Sequence, residues 1–333
     1  MAEAAEAWTE EQREAWINYW TALCDAVQIF TKDPGGIAAF LIARGRVPNA
    51  EERDGRKPWD FRGWMLPYVM DMFPAGGFPG RWGWWYRSLT AGRFPEGEGV
   101  PPWVQFDHGS DLARRNLDKC VQIIGHQMGF GMAAVGELIG WLGWGLATTK
   151  DQPRIPEKVA LELYRTLNLD AMLSSPSDYL GWLMSEYKGR GKDPTAFFPT
   201  PHGLVSMMTR MNLGEPAPEK TLRSVMDPCV GTGRFLLEAS NWSVRLYGCD
   251  INPRCVAATL VNGALYAPWL AFPLVTITEG AVEGVEVRDT LRNPPTMPSG
   301  KAVTEPLVYD DNTGQALLFP EMKEQGDGPA GDG

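Results

Sequence analysis

Apolar positions recur at helical spacing over Trp8 to Phe30, where Trp16, Tyr19, Trp20, Leu23 and Val27 share one stripe. This is the pattern of an amphipathic helix. Thr9, followed by Glu10, Glu11 and Gln12, suits a capped start. From Asp33 to Pro102 the chain is heavy in Gly, Pro and Trp, with short helical pieces such as Trp64 to Phe73. Helices are predicted again from Asp111 through Ala147 and from Pro156 to Leu167, the latter with proline near its first turn. Within them, Val121 to Ala147 is apolar enough to cross a membrane on length alone, but His126, Gln127 and Glu137 make that costly. The pattern favours a buried helical hairpin broken near Gly140 to Gly145, with no membrane partner.

Beyond Ser175 the periodicity changes. Asp178 to Tyr187 and His202 to Met211 read as helices. Strands are predicted at Arg223 to Met226, Leu246 to Cys249 and Leu274 to Thr278, separated by helices at Gly231 to Ser240 and Pro253 to Leu265. Strand and helix in alternation predict an α/β domain with a doubly wound parallel sheet. The expected organisation is a mainly α-helical, Trp-rich domain over 1–174, an α/β domain over 175–323 and a frayed tail over 324–333, rich in Gly and acid.

Composition changes this picture in three ways. With 44% hydrophobic and 22% charged residues the 333-residue chain is built to fold. Most of its 14 tryptophans lie before residue 150. The run Gly80-Arg-Trp-Gly-Trp-Trp-Tyr86, flanked by Arg81 and Arg87, fits either a surface that stacks on unpaired bases or, as the favoured reading, core aromatics. The net charge of −10 means that any grip on a nucleic-acid backbone has to come from a local patch, the candidates being Arg44 and Arg46, Arg114 and Arg115, and Lys188, Arg190 and Lys192. Cys24, Cys120, Cys229, Cys249 and Cys255 follow no zinc or disulfide spacing, and the acidic start resembles no export signal, so a cytoplasmic protein with reduced thiols is expected. His108, His126 and His202 are scattered in the chain and are given no catalytic role.

The chemistry concentrates after the first α/β strand. In Asp227-Pro-Cys-Val-Gly-Thr-Gly233 the glycines allow a tight turn and close approach of the backbone to a ligand. Asp250, ending the next strand, stands where an acidic residue accepts hydrogen bonds from ribose hydroxyls, roughly 20 positions beyond the turn. Gly233-Arg234-Phe235 lacks the lysine and hydroxyl of a phosphate loop, and Ala239 is too far along to complete a dinucleotide fingerprint.

Phe198-Pro-Thr-Pro201, the turn Asp227 to Leu237, and Tyr247-Gly-Cys-Asp-Ile-Asn-Pro253 together resemble the modification subunits of type I restriction systems and related N6-adenine DNA methyltransferases, over roughly 175–293. Asp178 to Tyr187 and Val261 to Tyr266 add to the likeness. The resemblance implies a Rossmann-like domain that binds S-adenosylmethionine and methylates the adenine amino group in DNA, as part of a restriction-modification or mobile-element system. It assigns the methionine part of the cofactor to Phe198, Thr200, Pro201 and the turn residues Asp227, Pro228, Cys229, Gly231, Thr232 and Gly233, and the ribose to Asp250 beside Ile251.

The chain departs from the family where the reaction would occur. The catalytic Asn/Asp-Pro-Pro-aromatic element corresponds to Asn293-Pro294-Pro295-Thr296, and Thr296 cannot stack on a flipped base. The preceding Val285 to Leu291 is more charged than a buried parallel strand. In one alignment Glu279-Gly-Ala281 is the element that contacts the cofactor's adenine; in another it is Arg288-Asp289-Thr-Leu291, and the catalytic tetrapeptide is missing. The competing expectation is therefore a catalytically silent scaffold that binds DNA or protein. The chain left after Asn293 is short for a target-recognition domain, so the first half, through Arg81, Trp84, Trp85 and Arg87, or a protein partner would read the DNA.

Overall fold

The computed structural model describes residues 57–60, 62–71, 80–85, 99–188, 197–272 and 284–287. The expected helix over Trp8 to Phe30, the strand Leu274 to Thr278, the basic residues Arg44, Arg46, Arg87, Arg190 and Lys192, and the tail 324–333 lie outside these.

The first half is helical: α1 (Leu66–Asp71), α2 (Asp111–Met128), α3 (Met132–Gly145), α4 (Glu157–Thr166), α5 (Leu169–Leu173) and α6 (Tyr179–Glu186). Helix α2 starts where the Ser110 side chain accepts a hydrogen bond from Leu112 N–H, and it buries Ala113, Leu117, Cys120, Val121 and Ile124 on one stripe. The hairpin break expected near Gly140 to Gly145 falls instead at Gly129 and Gly131, with φ of 102° and 82°, values that a side chain resists. The later glycines stay helical, and Gly145 serves close packing: a Cβ there would stand 2.8 Å from the Met65 side chain. Among the described residues no helix is long and apolar enough to cross a membrane.

The described part of the aromatic run is core. Trp82, Trp84 and Trp85 are buried within helical residues 81–85, and Trp84 and Trp85 meet Trp269 edge-on at 5.5 and 5.8 Å. Arg81 is 0% exposed: its Nε donates to Pro102 O, Nη1 to Ser240 Oγ and Tyr266 O, and Nη2 to Asn241 Oδ1. Burial lowers its pKa to about 9, against the opposing influence of Glu238. Arg81, Trp84 and Trp85 are thus sealed away from nucleic acid, which corrects the expectation that they would read DNA.

The second half runs α7 (His202–Leu213), β1 (Val225–Asp227), α8 (Arg234–Ala239), β2 (Leu246–Asp250), α9 (Pro253–Tyr266), α10 (Pro268–Ala271) and β3 (Gly284–Val287). The strands pair in parallel in the order β1-β2-β3, with Asp227 opposite Gly248 and Asp250 opposite Val287. Segment 284–287, passed over in the sequence as too charged, is the third strand among the described residues. Helix α9 packs on β2 and β3 and also against α3. It is buried along its last six residues, Val261 to Tyr266, as a helix sandwiched between two layers must be. One hydrophobic core therefore contains Trp64 and Leu142 from the helical half as well as Leu236 and Leu246 from the sheet half.

Candidate functional site

Strands β1 and β2 end side by side, and their carboxyl ends carry the chemistry. After Asp227 the chain bends back so that Val230 N–H donates to Cys249 O at 2.9 Å. Gly231 (φ 55°) and Gly233 (φ 87°) both adopt left-handed backbone. A Cβ on Gly233 would come within 2.7 Å of Thr259, so this position is closed to any side chain twice over. Thr259 Oγ1 also donates to Gly231 O at 2.9 Å, which ties the turn to α9.

The bend and the second acidic residue touch. Gly231 N–H donates to Asp250 Oδ2 at 2.9 Å, and Asn252 N–H donates to Oδ1 at 2.8 Å. Two oxygens offer about four lone-pair sites, so the half-buried Asp250 can accept about two further hydrogen bonds on its open side. Asp227 Oδ1 takes the Cys229 N–H at 3.0 Å. Burial raises the Asp227 pKa, the Cys229 bond opposes this, and the charge of Asp250 adds to it.

The other residues singled out in the sequence divide by exposure. Phe198 is 78% exposed, with the Lys188 ammonium 3.4 Å from its ring centroid, and Ile251 is 56% exposed. Thr200, Pro201, Pro228 and Cys229 are also exposed. Phe197, by contrast, is buried against the turn, 3.4 Å from where a Gly231 Cβ would be. Thr232 is buried and its hydroxyl points inward, donating to Asp178 Oδ2 at 2.6 Å. Asp289, Asn293, Pro294 and Pro295, like Glu279 to Ala281, lie outside the described residues; β3 ends at Val287, just before Arg288.

Sequence reasoning missed two features. Asp178, Asn262 and Arg234 converge beneath the turn: Asn262 Nδ2 donates to both Asp178 Oδ1 and Thr232 O at 2.9 Å, and Arg234 pairs with Asp178 at 3.1 Å. The only hint was that the segments holding Asp178 and Asn262 looked family-like. The histidines are also less scattered than their spacing suggests, since His108 and His202 meet edge-to-face with centroids 5.6 Å apart. Burial foremost, then the Arg234 charge, lowers the His202 pKa to about 4.

Residues 176–267 match the family model described as N-6 DNA Methylase. No curated protein matches the chain significantly. The resemblance to N6-adenine DNA methyltransferases therefore holds for a segment that contains the turn, Asp250 and the threonine-proline element, and that ends before β3.

Proposed function

We propose, from the N6-adenine DNA methyltransferase kinship of residues 176–267, that this is a Rossmann-like domain binding S-adenosylmethionine and methylating the adenine amino group in DNA. The observation that carries the reading is the contact of Gly231 N–H with Asp250 Oδ2, which unites a side-chain-free bend and a carboxylate at the tips of adjacent parallel strands. Such a cleft, at the carboxyl ends of parallel strands, is where nucleotide-like ligands bind in doubly wound sheets.

The residues present fit this cofactor. No atom outside the turn crowds the Gly231 Cβ position closer than 3.4 Å, so backbone and ligand can approach there. The open lone pairs of Asp250 suit ribose hydroxyls. Exposed Ile251 offers an apolar surface beside them, and exposed Phe198, next to Thr200 and Pro201, borders the methionine side. Bound there, the cofactor supplies an electrophilic methyl group on sulfonium. The chain's own contribution is to orient that group and exclude water, so that catalysis rests on proximity more than on a strong base.

Asn293, Pro294 and Pro295 are the groups proposed to hold the adenine amine after base extrusion; in the alternative alignment Asp289, soon after β3, contacts the cofactor and the catalytic tetrapeptide is missing. A restriction-modification or mobile-element setting and a cytoplasmic location complete the reading, with target recognition left to a protein partner or to surfaces other than the sealed Arg81 region. Labelled S-adenosylmethionine and unmodified DNA test it. Methyl transfer to adenine, abolished in Asn293→Ala, is expected; cofactor binding with no transfer in the parent protein would instead assign a silent scaffold.

A further inference from the structure

Asp178 caps the start of α6 and is 1% exposed. A carboxylate so deeply buried persists only when its oxygens are satisfied. Its Oδ1 accepts from Gly181 N–H at 2.8 Å and from Asn262 Nδ2 at 2.9 Å. Its Oδ2 accepts from the Thr232 hydroxyl at 2.6 Å and from Arg234 Nε at 3.2 Å, with Arg234 Nη2 at 3.1 Å. The same guanidinium turns Nη1 the other way, onto the Thr200 carbonyl at 2.6 Å.

One rigid fork therefore spans from a carboxylate under the glycine turn to the threonine-proline loop beside it. Thr232, within the turn, hangs from the same carboxylate oxygen. Gly181 leaves no slack: a Cβ there would fall 2.0 Å from Asp178 Oδ2 and 2.5 Å from Thr232 Oγ1. We propose that Asp178 and Arg234 are positioning residues whose pair fixes the separation of the threonine-proline loop from the glycine turn. They thereby hold the side of the cleft that receives the aminocarboxypropyl end of S-adenosylmethionine. This rests on the cofactor reading above. A guanidinium is needed, because its planar donors reach two partners in opposed directions, whereas a lysine ammonium is a point charge.

The test is titration calorimetry on the full chain with two ligands: S-adenosylmethionine, and 5′-methylthioadenosine, which lacks the aminocarboxypropyl group. In Arg234→Lys, affinity for S-adenosylmethionine is expected to fall at least about tenfold, while that for methylthioadenosine changes less than about twofold, because Asp250 and Gly231 are untouched. The double variant Asp178→Asn with Arg234→Gln leaves no unpaired buried charge, and the same selective loss is expected. Equal loss for both ligands, or a lowered thermal midpoint with both affinities kept, would make the pair merely structural and overturn the proposal. A parent protein that binds neither ligand would remove the cofactor reading, and this one with it. A parent that binds both, with unchanged variants, removes this one alone.

Discussion

The two most deeply buried charges among the described residues, Arg81 at 0% and Asp178 at 1% exposure, are handled differently. Arg81 is surrounded by carbonyl and neutral side-chain oxygens and by the faces of Trp269 at 5.0 Å and Phe106 at 5.9 Å. It is wholly buried, its hydrogen-bond partners come from residues 102, 240, 241 and 266, and Glu238 acts on it only through its charge. Asp178 is answered by a cation, Arg234, that remains 13% exposed and reaches the loop at Thr200. The first charge staples the helical half to the sheet half. The second links the interior to a surface where a ligand can act, so the same expense of burial yields rigidity in one place and placement in the other.

The largest effect that would break this contrast is expected at Arg81. Arg81→Met removes the guanidinium's hydrogen bonds to Pro102 O, Ser240 Oγ, Tyr266 O and Asn241 Oδ1, the last keeping its bond from Val104 N–H, and should cost about 3 kcal/mol or more, read as a lower midpoint in denaturant unfolding. A loss below about 1 kcal/mol would show that the staple is incidental. Next, Gly233→Ala combines a left-handed backbone with a clash at Thr259, and about 2 kcal/mol of destabilisation is expected from strain and overpacking. The wild-type midpoint in that variant would mean that the turn adapts.

A smaller effect sharpens the comparison near the cleft. The folded-state pKa of His202, about 4, lies below the ordinary value of 6.5. Above 6.5 the histidine is neutral in both states and contributes nothing to the pH dependence. As pH falls from 6.5 toward 4 the unfolded chain takes up a proton that the folded chain refuses, so stability declines across that window and levels off below it. His202→Gln should flatten this part of the profile in unfolding experiments at several pH values; an unchanged slope would assign it to other groups.

Legibility in the sequence followed how local the physics was. The glycine turn, β1, β2 and α9 could be read because strand, turn and helix signals adjoin there. Strand character at 284–287 was missed because a buried parallel strand was expected to be apolar, while the strand expected at Leu274 to Thr278 lies outside the described residues. Gly284–Val287 pairs only with β2 among the described residues. The hairpin break was misplaced because a glycine reads alike whether it bends the chain, as at 129 and 131, or admits a neighbour, as at 145. Arg81 runs against the rule that arginine is seldom fully buried. The meetings of His108 with His202, and of Asp178 with Thr232 and Asn262, join distant segments and leave no local trace.

The central claim is that the bend at Gly231 and the carboxylate of Asp250 form one binding surface for S-adenosylmethionine. Titration calorimetry of the parent and Asp250→Ala proteins with that ligand tests it most directly. The account expects binding in about the micromolar range, weakened at least about tenfold by the substitution. Equal affinity in the two proteins would contradict it.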